Sequence, residues 1–378
     1  MIDYPFNFKK TLGKFIERPN RFVVKVKVNG KLVNAYLPNP GRLWELLIPN
    51  ETELMLISNK NSVKLPYTVL GCRRENERVL LHTHLTNKIV KSLISEGMLN
   101  FYKGFKVIGE EIKLGKSRFD LLIENEESLL IEVKTCTLFS GKVAMFPDAP
   151  TERGVKHLKD LDNLAKSGIK TAMLFVIMNP EVDFFLPAYH IDFKFAEAFN
   201  EVKNNVEIRA ISLKMDDTFT YVERTKDVVI PFFFIEKELK DRGCYLLLLY
   251  LEKTKPIKIG HKGEILFPSG FYIYVGSAKV GLQKRIARHR RRLKNLHWHI
   301  DYFIRNAKIL KDIPIVTNEN IECELAKNLL EISNQHIPFF GCSDCKCKSH
   351  LFYFKENPIL NKKFLKIINY FRMDLIKI

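Results

Sequence analysis

The sequence predicts a chain of several domains, in which a small all-β barrel precedes two α/β domains. Its 378 residues exceed the roughly 250 that one hydrophobic core usually supports. Short segments of alternating β-branched residues occupy the first 80 positions, and continuous apolar runs with helical spacing follow them. Basic residues are concentrated in the last third, which is typical of a separate domain with an anionic partner.

The barrel, expected over residues 1–80, is predicted from a hairpin signal. Residues 22–28 read FVVKVKV and end at Asn29-Gly30. Alternating β-branched residues beside Asn-Gly are typical of a two-residue hairpin. Further strands are expected over residues 53–58 and 64–70. A small barrel built in this way often binds nucleic acid.

The second domain, expected over residues 81–235, is predicted to be mixed α/β. Helical spacing marks residues 86–99, with Thr86 as the expected cap, and residues 151–167. Continuous apolar runs typical of buried strands lie at residues 119–123, 129–133 and 171–178.

The third domain is expected over residues 243–358, after a polar linker at residues 236–242. Its predicted strands cover residues 245–251 and 271–275, and its predicted helices cover residues 282–293 and 321–333. Residues 359–378 are expected to form a basic carboxyl-terminal tail.

Charge narrows the class of partner. Lys and Arg number 61 against 43 Asp and Glu, which gives a formal net charge of +18. Such an excess attracts polyanions, nucleic acid first and an anionic membrane surface second. No apolar run is long enough to span a bilayer, and no secretory leader is recognisable. We therefore expect a nucleic-acid partner and no membrane, and the seven, partly scattered cysteines favour a reduced cytoplasmic setting.

Two carboxylates and an ammonium group are predicted to converge in the middle domain. If a turn centres on Glu126, Asp120 lies opposite Glu132, with Cβ atoms about 5 Å apart. Lys134 shares the face of Glu132. Paired oxygen ligands suit Mg²⁺ or Mn²⁺, and a lysine beside them can orient water or stabilise phosphate charge. The alternative is that the three charges mark strand ends and form a surface ion pair.

Longer stretches resemble a known family over residues 1–235. They are LPNPGRLWELLIPN (37–50), RFDLLI (118–123), IEVKTCTL (131–138) and AMFPDAPTERGVKHLKDL (144–161). These stretches are similar to the SfsA (sugar fermentation stimulation protein) family. The resemblance implies an OB-like barrel, a PD-(D/E)XK nuclease-like domain and nonspecific DNA binding. The motif positions that it carries over are Asp120, Glu132 and Lys134.

Further phosphate contacts are predicted in the same region. Arg153, Lys156 and His157 follow the expected cap Thr151 and are candidates for contacts to phosphate, although a plain cap with a solvated arginine explains them equally well. Arg42 is a candidate for another contact. Trp44 beside it could stack on a base, but a core position is the favoured interpretation.

A basic helix is predicted in the third domain. Residues 279–294 hold eight Lys and Arg and no acid. On a helix that starts at Leu282, we expect Lys284, Arg288 and Arg291 to face outward and to contact phosphate, or simply to be solvated. Arg285 and His289 are expected at the edge that faces the domain.

The tripeptides at residues 243–245 (GCY) and 274–276 (YVG), followed by this helix, resemble the GIY-YIG nuclease superfamily. Residues 243–354 are similar to an uncharacterised branch of it. The resemblance implies Tyr245 and Tyr274 as motif tyrosines, Arg285 as the transition-state arginine, and a matching His289. It also requires a metal-binding glutamate, for which Glu322 is preferred to Glu324 because helical spacing turns Glu322 inward. The alternative is that Glu322 is only an acid that the helix dipole favours at the start of a helix.

A cysteine cluster closes the third domain. Cys342, Cys345, Cys347 and His350 read C-x2-C-x-C-x2-H, and four such ligands could hold Zn²⁺. A reduced, partly buried loop is an equal alternative.

These observations predict a DNA-binding protein that hydrolyses phosphodiester bonds with Mg²⁺ or Mn²⁺ and carries two nuclease-like domains. A noncatalytic DNA-binding regulator, with nuclease folds as binding platforms, is the alternative. An RNA-processing factor is a third interpretation that differs only in its substrate.

Overall fold

A computed structural model describes residues 9–59, 64–74, 77–291 and 293–378. The chain forms two compact units that divide between Ile235 and Glu236. Among the described residues, no helix combines the length and the apolar character that are needed to cross a membrane.

The first part of unit one is a closed β-barrel. Its strands are β1 (Lys10–Asn20), β2 (Val23–Val28), β3 (Lys31–Tyr36), β4 (Glu53–Ser58), β5 (Tyr67–Arg74) and β6 (Glu77–Leu80). They pair in the order β3-β2-β1-β4-β5-β6, and a parallel pairing of β3 with β5 closes the barrel. The fold class predicted for this part, an OB-like barrel, is therefore confirmed.

The predicted hairpin at Asn29-Gly30 is confirmed. Val28 pairs with Lys31 across the turn. Asn29 and Gly30 both have positive φ, 48° and 80°, which a two-residue turn of this hand requires. Asparagine and glycine are the residues that adopt this conformation at the lowest cost.

The second part of unit one is the expected mixed α/β domain. Its helices are α1 (Thr86–Ser95), α2 (Glu152–Lys166) and α3 (Phe193–Val202). Its strands are β7 (Lys106–Leu114), β8 (Ser117–Glu124), β9 (Ser128–Cys136), β10 (Leu138–Ser140), β11 (Val143–Phe146), β12 (Thr171–Ile177), β13 (Phe184–Pro187), β14 (Glu207–Met215) and β15 (Val222–Asp227). The main sheet has the order β15-β14-β12-β9-β8-β7, with β9, β12 and β14 parallel, and a second sheet joins β10, β11 and β13.

The helix starts of this domain differ in one respect from expectation. Thr151 caps α2 as expected, because its hydroxyl accepts a hydrogen bond from the Gly154 amide at 3.0 Å. Thr86 is not a cap: Leu85 precedes the first helical residue and makes no side-chain cap. The Thr86 hydroxyl instead shares a 2.7 Å hydrogen bond with that of Thr135 on β9, and this bond ties α1 to the central strand.

Helix α4 (Phe232–Glu238) spans the division between the units, and unit two is a second α/β domain. Its strands are β16 (Gly243–Leu251), β17 (Lys255–Lys258), β18 (Glu264–Phe267), β19 (Gly270–Ala278), β20 (Lys308–Val316), β21 (Gln335–His336) and β22 (Leu351–Phe354). Its helices are α5 (Leu282–His289), α6 (His299–Ile304), α7 (Glu322–Ile332) and α8 (Lys362–Asn369). The antiparallel sheet β20-β16-β19-β22-β21 forms its centre.

The residues expected as a basic tail are folded. Helix α8 continues into a π-helical turn over Tyr370–Asp374, and the apolar side chains of Phe364, Leu365 and Ile368 are buried. Arg372 is buried as well and donates two hydrogen bonds to the Pro314 carbonyl of β20. Apolar residues at helical spacing therefore fold this segment onto the domain, and its lysines lie on the exposed face of the helix.

Candidate functional site

The acidic hairpin, Asp120 with Glu132 and Lys134, is assembled by strands β8 and β9. Leu121 pairs with Ile131, so the next position on each strand is Asp120 and Glu132, as the expected register requires. Glu132 is only 2% exposed. Asp120 and Lys134 are half-buried beside it, so the three charges are largely withdrawn from solvent rather than arranged as an exposed ion pair.

Asp120 is held by two donors from different elements. The Asn87 side-chain amide of α1 donates to Asp120 Oδ1, and the Val133 amide of β9 donates to Oδ2, both at 2.7 Å. Burial, and next the neighbouring charge of Glu132, raise the pKa of Asp120 to about 6. The carboxylate thus carries a cost of ionisation that a bound cation would relieve.

Glu132 is organised through one of its two oxygens. His157 Nδ1 of α2 lies 2.6 Å from Oε1, and the Lys134 ammonium donates to the same atom. Burial alone would raise the pKa of Glu132, but the hydrogen bond from His157 and the charge of Lys134 together lower it below its usual value. The carboxylate is therefore ionised at neutral pH.

The arrangement fits a divalent cation. Within the described residues, Glu132 Oε2 is buried and has no hydrogen-bond partner, although a buried carboxylate oxygen normally has one. Two neighbouring carboxylates, one of which has an unpartnered oxygen, match the donor set of Mg²⁺ or Mn²⁺. These ions keep several waters and need only one or two protein carboxylates. Asp120 and Glu132 would hold the ion.

The expected phosphate contacts on α2 have different environments. Arg153 and Lys156 are exposed, and Lys156 donates to Ser117 at 2.7 Å and pairs with Asp160 at 3.4 Å. His157 is buried, so it is a partner of Glu132 and not an exposed phosphate contact. Arg153 Nε donates to His157 Nε2 at 3.3 Å, which leaves Nδ1 as the protonated nitrogen that faces Glu132.

The barrel loop that contains Arg42 rests on the loop before α2. Arg18 donates to the carbonyls of Asn39, Gly41 and Arg42 at 2.6–2.9 Å. A Cβ on Gly41 would lie 2.0 Å from an Asp148 carboxylate oxygen, so only glycine permits this approach. Arg42 itself is half-buried with its guanidinium 5.2 Å from the ring centroid of Trp44, which is also half-buried.

In unit two, the motif tyrosines lie on adjacent strands beside helix α5. Tyr245 pairs with Gly276, and a Cβ at position 276 would lie 2.5 Å from the Tyr245 ring. The Tyr245 hydroxyl and His289 Nε2 share a 2.7 Å hydrogen bond. The Tyr274 ring centroid is 6.4 Å from that of Tyr245 and 6.3 Å from that of His289.

Burial controls the protonation of this aromatic cluster. It raises the pKa of Tyr245 well above its usual range, and it also raises the pKa of Tyr274. Burial, and next the charge of Lys294, lower the pKa of His289 to about 4. All three rings are therefore neutral at neutral pH, and the Tyr245 hydroxyl can donate its hydrogen bond to the unprotonated Nε2 of His289.

Trp298 organises the basic helix in a way that the sequence analysis missed. The guanidinium carbons of Arg285 and Arg288 lie 4.3 and 4.2 Å from its ring centroid. Arg288 donates to both oxygens of the fully buried Asp301, at 2.9 and 3.1 Å. The prediction that Arg288 faces outward is therefore wrong, because Asp301 on α6 draws it inward; Lys284 and Arg291 are exposed as expected.

Glu322 begins helix α7 at the end of β19. Its Oε2 accepts a 2.6 Å hydrogen bond from the Ser277 hydroxyl, and its Oε1 lies 3.5 Å from His350 Nδ1. Burial alone would raise the pKa of Glu322, but the neighbouring His350 imidazole and the Ser277 hydrogen bond outweigh that effect and lower the pKa below its usual value. Glu324 on the same helix is exposed.

The cysteine cluster has a different membership from the expected one. Cys323, Cys345, Cys347 and His350 bring one ligand atom each to within 4.8 Å of the others. Cys342 was expected as a ligand and is buried outside this group. Its place is taken by Cys323, which comes from α7, a separate element 22 positions before Cys345. No local spacing could have revealed it, since the pattern C-x2-C-x-C-x2-H contains only the later residues.

Three family profiles match the chain. SfsA N-terminal OB domain covers residues 16–81, Sugar fermentation stimulation protein RE domain covers residues 84–219, and Domain of unknown function DUF123 covers residues 244–373. The first two match unit one and the third matches unit two.

Similar proteins extend over unit one. A Sugar fermentation stimulation protein homolog of Clostridium kluyveri is 38% identical over 217 residues, 56% of this chain and 94% of that protein. A homolog of the same name from Methanosphaera stadtmanae is 35% identical over 234 residues, which are 60% of this chain and 97% of that protein. The structure of Pyrococcus furiosus SfsA in complex with Ca²⁺ has a TM-score of 0.55 and 30% identity, and the match covers 59% of this chain and 96% of that one. Together with the barrel and the acidic hairpin, these matches establish that the chain belongs to the SfsA family, with a DUF123 domain as its second unit.

Proposed function

We propose that the protein binds DNA and hydrolyses phosphodiester bonds with Mg²⁺ or Mn²⁺. The observation that carries the proposal is the acidic hairpin. Two carboxylates and a lysine converge in a buried place, and a carboxylate oxygen there has no partner among the described residues. A buried carboxylate oxygen without a partner is costly to retain, and a bound cation would compensate for that cost.

The residues in and around the acidic hairpin have separate roles in the proposed reaction. A bound divalent ion supplies a lowered pKa of bound water and charge stabilisation on the phosphate. His157 and Lys134 hold Glu132 Oε1, so that Oε2 is presented, and Asn87 fixes the orientation of Asp120. Lys134, whose side chain is 15% exposed, is the cation placed to contact a phosphate oxygen.

Unit two offers a second arrangement suited to the same reaction. Tyr245 can take a proton from water while it passes its own to His289, because the two share a hydrogen bond. Arg285 offers donors to the charge that develops on phosphate. Glu322, fixed by Ser277, would hold the metal ion.

Cleavage assays on the full chain test the proposal. Plasmid DNA, single-stranded DNA and structured RNA are incubated with and without Mn²⁺. We expect DNA cleavage that requires the ion, is lost in the Glu132→Gln/Glu322→Gln double variant, and persists in Glu324→Gln. DNA binding without cleavage under any divalent ion would instead support the noncatalytic regulator, and cleavage of RNA alone would support RNA processing.

The affinity for DNA is expected to fall steeply with salt. The motive is the net charge of +18 and the exposed Lys284 and Arg291. Each neutralised phosphate contributes a slope of about −0.9 in log K against log salt for duplex DNA. Fluorescence anisotropy between low and moderate ionic strength measures the slope, and a flat line would reject phosphate contacts as the source of affinity.

Replacing Arg285 by alanine is expected to slow cleavage by about 10²-fold to 10³-fold with little loss of DNA affinity. The reason is that Lys284 and Arg291 remain available for phosphate, whereas the charge developing in the transition state loses its donor. Single-turnover rates are measured in a Glu132→Gln background, which silences the hairpin. Lys284→Ala is the matched control, expected to weaken binding and spare the rate; the reverse pattern in the two variants would contradict the assignment.

A further inference from the structure

Unit two contains a cluster of three thiols and one imidazole that the proposed reaction does not use. The ligand atoms of Cys323, Cys345, Cys347 and His350 lie within 4.8 Å of one another. His350 is 2% exposed, Cys345 and Cys347 are half-buried, and Cys323 is exposed. The cluster is thus closed on the imidazole side and reachable from solvent on the thiol side.

We propose that these four residues bind a structural zinc ion and that His350, once bound, positions Glu322. The second half of this inference rests on the proposed role of Glu322 as a metal ligand, whereas the first half does not.

The donor set and the dimensions suit zinc. Three thiolates and one imidazole are a common tetrahedral set in closed, structural zinc sites. With zinc–sulfur bonds of about 2.3 Å, tetrahedral sulfurs lie about 3.8 Å apart. The cluster is within about an ångström of that size, so a modest contraction around the ion completes it.

The elements that supply the ligands explain what the ion would stabilise. Cys323 lies in the first turn of α7, whereas the other three ligands lie in the segment between β21 and β22, which has no regular strand or helix. Main-chain hydrogen bonds from Phe339 to Lys348 and from His350 to Phe340 join the two ends of this segment, and Cys345 and Cys347 lie between those ends. A tetrahedral ion would join it to α7 and fix its course, in the way that metals stabilise small domains.

His350 faces the thiols and Glu322 at the same time. Its Nε2 lies 3.5 Å from Cys345 Sγ, and its Nδ1 lies 3.5 Å from Glu322 Oε1. Within the described residues, the buried Nδ1 has no hydrogen-bond partner. Metal binding at Nε2 places the proton on Nδ1, where it can be donated to the carboxylate, as in carboxylate–histidine–zinc triads.

Glu322 is therefore attached to the cluster in two ways. It is the neighbour of Cys323 in the chain, and its side chain contacts His350. Its second oxygen accepts the Ser277 hydrogen bond. With the ion bound, both the start of α7 and the orientation of the carboxylate are set, so the zinc site acts as a positioning device for the neighbouring residue.

Metal content of the full chain tests the site. The protein is purified from zinc-replete cells under reducing conditions, and zinc is measured by mass spectrometry. We expect about one ion per chain, its loss in Cys323→Ser and in Cys347→Ser, and its retention in Cys342→Ser. Cobalt substitution should give the intense visible bands of a tetrahedral thiolate site in the wild type and in Cys342→Ser only. Zinc-free wild type, or loss in Cys342→Ser with retention in Cys323→Ser, would overturn the proposal.

Zinc affinity tests the link to Glu322 without any nucleic acid. Competition with a chromophoric chelator is compared for the wild type, Glu322→Gln and Glu324→Gln. Loss of a partner that supports a metal ligand usually weakens affinity by about tenfold to a hundredfold. We expect that loss in Glu322→Gln and unchanged affinity in Glu324→Gln. Equal affinity in all three would reject the positioning role, whatever the outcome of the cleavage assays.

Discussion

Replacing Glu132 by glutamine is expected to lower Mn²⁺ affinity at the acidic hairpin by at least about a hundredfold and to lower cleavage at this site by a similar factor. Glutamine keeps the shape and can still accept the hydrogen bond from His157, so the fold is retained. It removes the charge from Oε2, the oxygen that is buried without a partner.

The measurement is a titration of Mn²⁺ into the full chain, in a Glu322→Gln background that removes the second proposed carboxylate. Glu124→Gln is the matched control, because Glu124 lies on the same strand as Asp120 but is exposed. Equal Mn²⁺ binding by the parent and by the Glu132→Gln variant would mean that the three charges have a structural role only.

Replacing Asp301 by alanine is expected to destabilise unit two by about 3–5 kcal/mol. Asp301 is completely buried, pairs with Arg288 and Lys294, and accepts hydrogen bonds from the amides of His297 and Trp298. Its removal leaves a partly buried guanidinium and an ammonium that is 7% exposed without their anion. It also releases Trp298, on which Arg285 rests.

Chemical denaturation followed by tryptophan fluorescence measures the loss. Asp312→Ala is the matched control: Asp312 pairs with Arg290 at the surface, and such pairs contribute at most about 1 kcal/mol. Similar losses in the two variants would show that burial does not set the strength of the Asp301 pair.

The same carboxylate gives the stability of unit two a defined dependence on pH. Burial alone would raise the pKa of Asp301, but hydrogen bonds from Arg288, from two main-chain amides and from Lys294 hold it well below its usual range. The unfolded chain therefore binds the proton first as pH falls. This contribution to stability is complete above the unfolded pKa, about 4, and decreases as pH falls toward the folded pKa. The Asp301→Ala variant should lack this part of the acid dependence.

Local sequence patterns predicted the strands and helices of this structure better than they predicted the tertiary contacts between them. Alternation and Asn-Gly predicted the first hairpin, and the turn at Glu126 predicted the alignment of Asp120 with Glu132, because strand register follows from short-range geometry. The partners that complete each site come from distant elements. Asn87 reaches Asp120 from α1, and Cys323 joins Cys345 from α7. Neither pairing leaves a periodic signal.

Helical spacing alone also misjudged which charges face solvent. Arg288 was expected outside because it lies off the apolar stripe of α5. A fully buried carboxylate on the following helix reverses that expectation. His157 is a similar case: spacing placed it beside Arg153, but only the docking of α2 against β9 brings it to Glu132. Electrostatic pairing between elements depends on the tertiary fold and cannot be read from one helix.

The close approach of Gly276 to Tyr245 limits which substitutions this pair of strands can accept during evolution. The ring occupies the space that any side chain at position 276 would need, so the two positions can only be altered together. Cys244 and Val275 are the middle letters of the two tripeptides, and alternation turns both to the opposite side of the sheet, where both are buried. Positions 244 and 275 can therefore be substituted independently of each other by apolar residues of similar volume. We therefore expect relatives to vary at these two positions before they vary at the tyrosines. A motif search that requires isoleucine at both positions would overlook chains in which the tyrosine pair is intact.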